Sequence, residues 1–159
     1  MILNSLASHR LKTHGPNMKI LVVEARYYES ISQDLLTGAL AKLQAAGAEV
    51  VKVNVPGALE IPHVISYAEK AKSGYDGYVA LGCVIRGETT HYDYVCEESA
   101  RALMDLAVDY QLAIGNGIIT VENEAQAIAR SKPDQKDKGG FAASACLRMI
   151  QLREELNKS

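Results

Sequence analysis

What this chain lacks narrows its function before any motif is read. No apolar run approaches the ~20 residues of a membrane-spanning helix, and no stretch has the apolar core of a secretory signal. There is no excess of basic charge: 17 Lys and Arg against 19 Asp and Glu give a net charge of −2. That balance argues against nucleic acid or an anionic membrane as the main partner. Cysteine is scarce, and Cys83, Cys96 and Cys146 are widely spaced inside apolar patterns with no C-x-x-C pair. This suits reduced, buried thiols in a cytoplasmic protein rather than a disulfide framework. His9, His14, His63 and His91 are too dispersed to suggest a zinc site, so no metal is expected. The phosphate loop G-x-x-x-x-G-K-[ST] is absent. Gly115-Asn116-Gly117 lacks the third glycine and the helix of a dinucleotide fingerprint, which discounts NAD and FAD.

What is present reads as one ordinary domain. A chain of 159 residues that is 48% apolar supports a single core. Residues 18–159 carry the regular pattern. Residues 1–17 contain Arg10 and Lys12 and no acid, and read as an N-terminal arm, flexible or docked on a neighbouring subunit. Met18 opens a continuous apolar strand through Ala25, of the kind buried on both sheet faces. Ser30 with Gln33 predicts a capped helix that Gly47 ends. A second strand, Glu49–Val55, runs into Pro56-Gly57-Ala58-Leu59-Glu60-Ile61-Pro62, and Pro62 suits the first turn of a helix. A third strand, Tyr78–Ile85, precedes a helix from Tyr92 to Tyr110. A fourth, Leu112–Val121, is interrupted by two glycines, which predict a bulge or a close backbone approach. A short helix over Glu122–Ser131, with Ala127 and Ile128 inward, and a final helix from Phe141 to about Asn157 complete the chain. Strand–helix alternation of this kind predicts a flavodoxin-like three-layer α/β/α sandwich with a four-stranded parallel sheet.

In such folds ligands bind beyond the carboxyl ends of the strands. Arg26-Tyr27, Pro56–Glu60 and Ile85–His91 all lie at such ends. The stretch Gly82–Arg101 is the richest in chemistry. An apolar strand opens through Arg86-Gly87-Glu88-Thr89-Thr90-His91 onto a helix whose first N–H groups are unpaired and partly positive. Two threonine hydroxyls and a titratable imidazole stand beside them, so anion binding and proton transfer meet on one turn. The same residues also fit a plain N-cap, with Thr90 and Asp93 as a capping-box-like pair. Arg130 also fits a helix-dipole partner and Lys138 a solubilising loop residue.

Four segments in order make the chain recognisable: V-P-G-A-L-E-I-P (Val55–Pro62), G-C-V-I-R-G-E-T-T-H-Y-D-Y-V-C (Gly82–Cys96), G-I-I-T-V-E-N-E-A-Q-A-I-A-R (Gly117–Arg130) and K-G-G-F-A-A (Lys138–Ala143). Together they resemble the lumazine synthase family over about Met18–Leu156. The resemblance implies condensation of 5-amino-6-(D-ribitylamino)uracil with 3,4-dihydroxy-2-butanone 4-phosphate, without cofactor or metal. It implies that His91 donates and accepts protons as the catalytic residue. Tyr27, Ala58, Leu59, Glu60, Cys83, Val84, Ile85, Asn116 and Lys138 would bind the ribitylaminouracil. Glu88, Thr89 and Arg130 would bind the butanone phosphate. It further implies a homopentamer in which Asn116, Arg130 and Lys138 come from the adjacent subunit; some members assemble pentamers into hollow shells.

Three residues depart from the family pattern. Tyr27 replaces a more usual Phe or Trp, which keeps stacking and adds a hydroxyl. Asn116 stands where many members place an aromatic, exchanging stacking for hydrogen bonding. Glu88 sets a carboxylate beside the expected phosphate, and is expected to turn outward. The Asn116 change leaves a second expectation open: a catalytically weak paralogue that forms shells or binds flavin or lumazine.

Overall fold

Strand β1 (Lys19–Ala25) is the centre of the molecule, with all but its first residue buried. The computed structural model describes residues 18–159, so the expected arm over residues 1–17 lies outside the described residues. β1 pairs in parallel with β2 (Glu49–Val55) on one side and β3 (Gly77–Ile85) on the other, and β3 pairs in parallel with β4 (Ile114–Val121). The sheet order is β2-β1-β3-β4. Inner strands β1 and β3 read as continuous apolar runs because helices cover both of their faces. Edge strand β4 alternates between buried and more exposed residues, whereas edge strand β2 is more open and buries only Val55.

Among the described residues five helices make the outer layers. On one face α1 (Glu29–Ala45), α4 (Glu124–Ser131) and α5 (Lys138–Asn157) pack Leu35, Leu43, Ala127, Cys146 and Ile150 against Ile20, Val22, Val79 and Leu81. On the other, α2 (Ile61–Lys70) and α3 (His91–Asp109) place Ile61, Ile65 and Leu103 against Leu21, Val23, Tyr78 and Ala80. The alternation of side chains along each strand feeds both cores. This is the three-layer α/β/α sandwich with a four-stranded parallel sheet that the alternating pattern predicts.

The local signals fare unevenly. Gly47 ends α1 with φ 73°, and Pro62 sits in the first turn of α2. Ser30 is not a cap: α1 begins at Glu29 after Tyr28, with no side-chain cap bond. Arg26 organises that turn instead, bridging the buried Glu24 at 2.7 Å and Glu29 at 3.1 Å. No capping box forms on α3, because Thr90 makes no side-chain cap bond and Asp93 turns towards Arg86. Ile128 faces outward rather than inward. α5 begins at Lys138, earlier than Phe141, because Asp137 caps it by accepting from the Gly140 N–H at 3.1 Å.

The glycines of β4 mark close approach and not a bulge. The β3–β4 register runs unbroken from Tyr78↔Ile114 to Ile85↔Val121. A Cβ on Gly115 would lie 1.8 Å from the Ala142 carbonyl oxygen, so α5 rests directly on the strand backbone. Gly139 plays the same part between helices, since a Cβ there would lie 2.0 Å from the Leu35 oxygen.

Candidate active site

Beyond the carboxyl ends of β1, β2 and β3 lies a cavity of about 510 Å³, within the usual range for small-molecule sites. Each strand contributes the residues at which its apolar run stops. β1 supplies Ala25 and the turn after it Tyr27 and Tyr28; β2 leads into Pro56–Glu60; β3 supplies Cys83, Val84 and Ile85; α3 supplies His91 and Val95. The three strand ends expected to converge do so. Of the residues singled out in the sequence, Tyr27, Ala58, Leu59, Glu60, Cys83, Val84, Ile85 and His91 all line this one space.

Tyr27 is 76% exposed and meets the half-buried Tyr28 edge-on, with ring centroids 4.9 Å apart. Its ring is therefore free to receive a flat ligand. Ala58–Glu60 forms one 3-10 turn after Gly57. A Cβ on Gly57 would meet only the Glu60 carboxylate, at 3.4 Å, so the backbone there stays open to a close-lying ligand. The Cys83 thiol is pushed up to about 12 by burial, and burial also raises the Tyr28 phenol. Both stay neutral at pH 7, so the floor of the cavity is uncharged and Cys83 is no thiolate nucleophile. Burial alone would lower the Arg26 guanidinium, but hydrogen bonds and charge from Glu24 and Glu29 raise it overall.

His91 is the first residue of α3 and is exposed at the rim. Its backbone N–H donates to the Thr89 hydroxyl at 3.3 Å, which holds the turn to the helix start. Thr89 and Glu88 are exposed and lie outside the cavity lining. The Arg86 guanidinium lies 2.7 Å from Glu122 and 3.4 Å from Asp93, with its Cζ over the Tyr92 ring, 4.3 Å from the centroid. The Glu122 hydrogen bond is the main cause that raises it further.

The remaining candidates stand elsewhere. Asn116 is exposed on the outer strand β4 and accepts from the Ile118 N–H at 3.0 Å. Arg130 donates to the Gln126 carbonyl near the end of α4. Lys138 opens α5 with its ammonium 5.3 Å from the Phe141 ring. None of the three lines the cavity. Sequence reasoning missed Tyr28 and Val95 as wall residues, and gave no clamping role to Arg26 and Arg86. Each clamp is an arginine just past a buried strand, and that position was its only signal. Among the described residues no three His, Cys, Asp or Glu side chains gather as a metal site, and no helix is long and apolar enough to cross a membrane.

Comparison with known proteins gives the site its context. The family model for 6,7-dimethyl-8-ribityllumazine synthase matches residues 17–154. A protein of that name from Bartonella tribocorum is 62% identical over 135 residues, covering 85% of this chain and 89% of the relative. Its counterpart from Bartonella henselae is 60% identical over 142 residues, covering 89% and 92%. 6,7-Dimethyl-8-ribityllumazine synthase 1 of Rhizobium meliloti is 57% identical over 141 residues, covering 86% and 92%. With two of the four sequence segments, Val55–Pro62 and Gly82–Cys96, lining one cavity and the family model matched over nearly the whole described chain, the protein belongs to the 6,7-dimethyl-8-ribityllumazine synthase family.

Proposed function

We infer that the cavity at the ends of β1, β2 and β3 is where this chain performs the reaction of its family. That reaction condenses 5-amino-6-(D-ribitylamino)uracil with 3,4-dihydroxy-2-butanone 4-phosphate to give 6,7-dimethyl-8-ribityllumazine, phosphate and water. It is a transferase step of riboflavin biosynthesis. The amine forms a Schiff base with the ketone, phosphate is eliminated, and the ring closes. The observation that carries the reading is the convergence of Tyr27, Ala58–Glu60, Cys83–Ile85 and His91 on one space.

In this reading the pyrimidine lies against Tyr27 and the main chain of Cys83–Ile85, with the ribityl chain on Ala58, Leu59 and Glu60. A neutral floor suits an uncharged heterocycle, and Glu60 offers acceptors to hydroxyls. His91 moves protons between the amine, the carbonyl oxygen and the leaving phosphate. Glu88 and Thr89 hold that phosphate through backbone N–H groups and the threonine hydroxyl, beside the positive end of α3. The rest of the barrier falls by orientation, since two substrates held together need no bimolecular encounter.

Arg130, Asn116 and Lys138 complete the site from an adjacent copy, in a homopentamer or a larger assembly of pentamers. Their placement outside the cavity in a single chain supports this. So does the apolar surface of α3 and α5, where Met104, Val108, Tyr110, Met149 and Leu156 are exposed. The three cysteines are free thiols, which supports a reducing, cytoplasmic setting. Residues 18–159 act as the single catalytic domain. The test mixes His91→Ala and Arg130→Ala proteins, each impaired alone, under conditions of subunit exchange and at limiting butanone phosphate. Mixed rings exceed the summed activity of the two variants if the site is shared, and show only that sum if each chain acts alone.

A further inference from the structure

The turn between β3 and α3 has little to hold it. Residues 86–91 are all exposed, and a Cβ on Gly87 would find nothing within 4 Å. Apart from the Thr89 hydroxyl that accepts from the His91 N–H, the one side chain of this turn that ties it to other elements, among the described residues, is Arg86. We propose that Arg86 is a positioning residue that fixes the Thr89–His91 turn through Glu122, Asp93 and Tyr92 without touching substrate. This rests on His91 being the proton carrier.

Three contacts define the clamp. The Arg86 Nε donates to Glu122 at 2.7 Å, across from the end of β4. Nη2 lies 3.4 Å from Asp93, in the first turn of α3. The guanidinium Cζ lies over the ring of Tyr92, the residue after His91, 4.3 Å from its centroid. The Arg86 backbone N–H adds a bond to the Val121 carbonyl at 3.0 Å. A planar fork with a stacking face is what two carboxylates and a ring on different elements require, and a lysine ammonium cannot serve all three. The clamp also reaches α4: the Glu122 N–H donates to the Gln126 side chain at 2.8 Å, on the helix that carries Arg130. One guanidinium thus sets the His91 turn relative to the element bearing the other half-site residue.

An arginine beside an anion site invites a simpler reading, that it binds phosphate directly. The geometry opposes this. Two carboxylates already flank the guanidinium, so the group as a whole offers an approaching phosphate no net positive charge.

The full-length protein carries the test, as Arg86→Met, Arg86→Lys, Glu122→Ala and the double variant Arg86→Met/Glu122→Ala. Turnover, KM for the butanone phosphate and inhibition by inorganic phosphate are measured, with sedimentation confirming unchanged assembly. Arg86→Met is expected to lower kcat roughly 10- to 100-fold, as misplacement of a catalytic group does, with KM and phosphate inhibition within about twofold. Arg86→Lys should not rescue it. Glu122→Ala should share the loss, and the double variant should be no slower than the worse single one. The inference is overturned if Arg86→Met raises KM and weakens phosphate inhibition at intact kcat, or if the two losses simply multiply. Should Arg86→Met fail to assemble, Glu122→Ala decides alone, since Glu122 is an exposed loop residue; an unaltered kcat there refutes the clamp. His91→Asn separates the two readings. If it leaves kcat unchanged, the assignment of His91 falls; if it slows turnover while the clamp variants do not, only the role of Arg86 falls.

Discussion

Replacing Gly115 by alanine puts a single methyl group where the structure has no room for it. The added Cβ would lie 1.8 Å from the Ala142 oxygen, 2.7 Å from its carbonyl carbon and 3.3 Å from its Cα. All three are backbone atoms of α5, so no side chain can swing aside. Relieving the overlap means moving α5 off β4 by about 1 Å, and α5 is also seated on α1 through Gly139. Overpacking a rigid core costs about 1–3 kcal/mol. A clash borne wholly by backbone belongs at the top of that range or above it, a large part of the ~5–15 kcal/mol that holds a domain folded. Gly87→Ala is the matched control. It has open space around its Cβ position and no left-handed φ, so its effect should stay within about 0.5 kcal/mol. Urea unfolding at one fixed protomer concentration measures both, because association adds to apparent stability. Equal midpoints for Gly115→Ala and the parent, or equal damage from both substitutions, would refute the reasoning.

Two further results follow from the same structure. Burial pushes the Cys83 and Cys146 thiols from 9.0 to about 12, so between those values the unfolded chain has lost protons that the folded chain keeps. Stability should therefore be full below about pH 9 and fall as pH rises above it, by up to about 1.4 kcal/mol per pH unit for each thiol. The Tyr78 phenol, raised by burial and by its bond to Glu69, acts in the same direction. Flat or rising stability from pH 9 to 11 in urea titrations contradicts this. In steady-state assays His91→Ala should slow turnover with a modest change in binding, whereas Arg130→Ala should raise KM for the phosphorylated substrate by about 10-fold or more, the worth of a charge-assisted hydrogen bond. An unaltered KM in Arg130→Ala removes the phosphate role.

The fold was legible because its signals are local and periodic. Lys19–Ala25 and Gly77–Ile85 are apolar runs that only a doubly covered strand needs, and their helices announce themselves by spacing and by Gly47 and Pro62. The helix starts were misread where one local contact stood in place of another. Ser30 and Gln33 have the form of a cap, yet α1 begins at Glu29, where Arg26 bridges the buried Glu24 and Glu29. The sequence places Glu24 and Arg26 two residues apart across the end of a strand and says nothing of the burial of Glu24. Asp137 was missed as a cap because its left-handed backbone, φ 44°, is the geometry expected of glycine or asparagine.

The candidate site divides along the same line between local and assembled information. Tyr27, Glu60 and His91 follow strand ends, and parallel strands bring their carboxyl ends to one rim whatever the side chains are. Nothing periodic leads to Asn116, Arg130 or Lys138, and in one chain none of them lines the cavity at that rim. Only the resemblance connects them to the chemistry. The structure nevertheless narrows what Asn116 has to offer. Its side-chain oxygen is engaged by the Ile118 N–H at 3.0 Å, and that donor dictates which amide atom is the oxygen. What remains free is the amide NH2, a pair of donors, together with the second lone pair of the oxygen. Where many relatives set an aromatic face against the heterocycle, this chain can give hydrogen bonds to a carbonyl oxygen while that oxygen stays bound to its own strand. In the shared site proposed above, the substitution would exchange stacking for hydrogen bonding and keep a way to hold a pyrimidine that bears carbonyl groups.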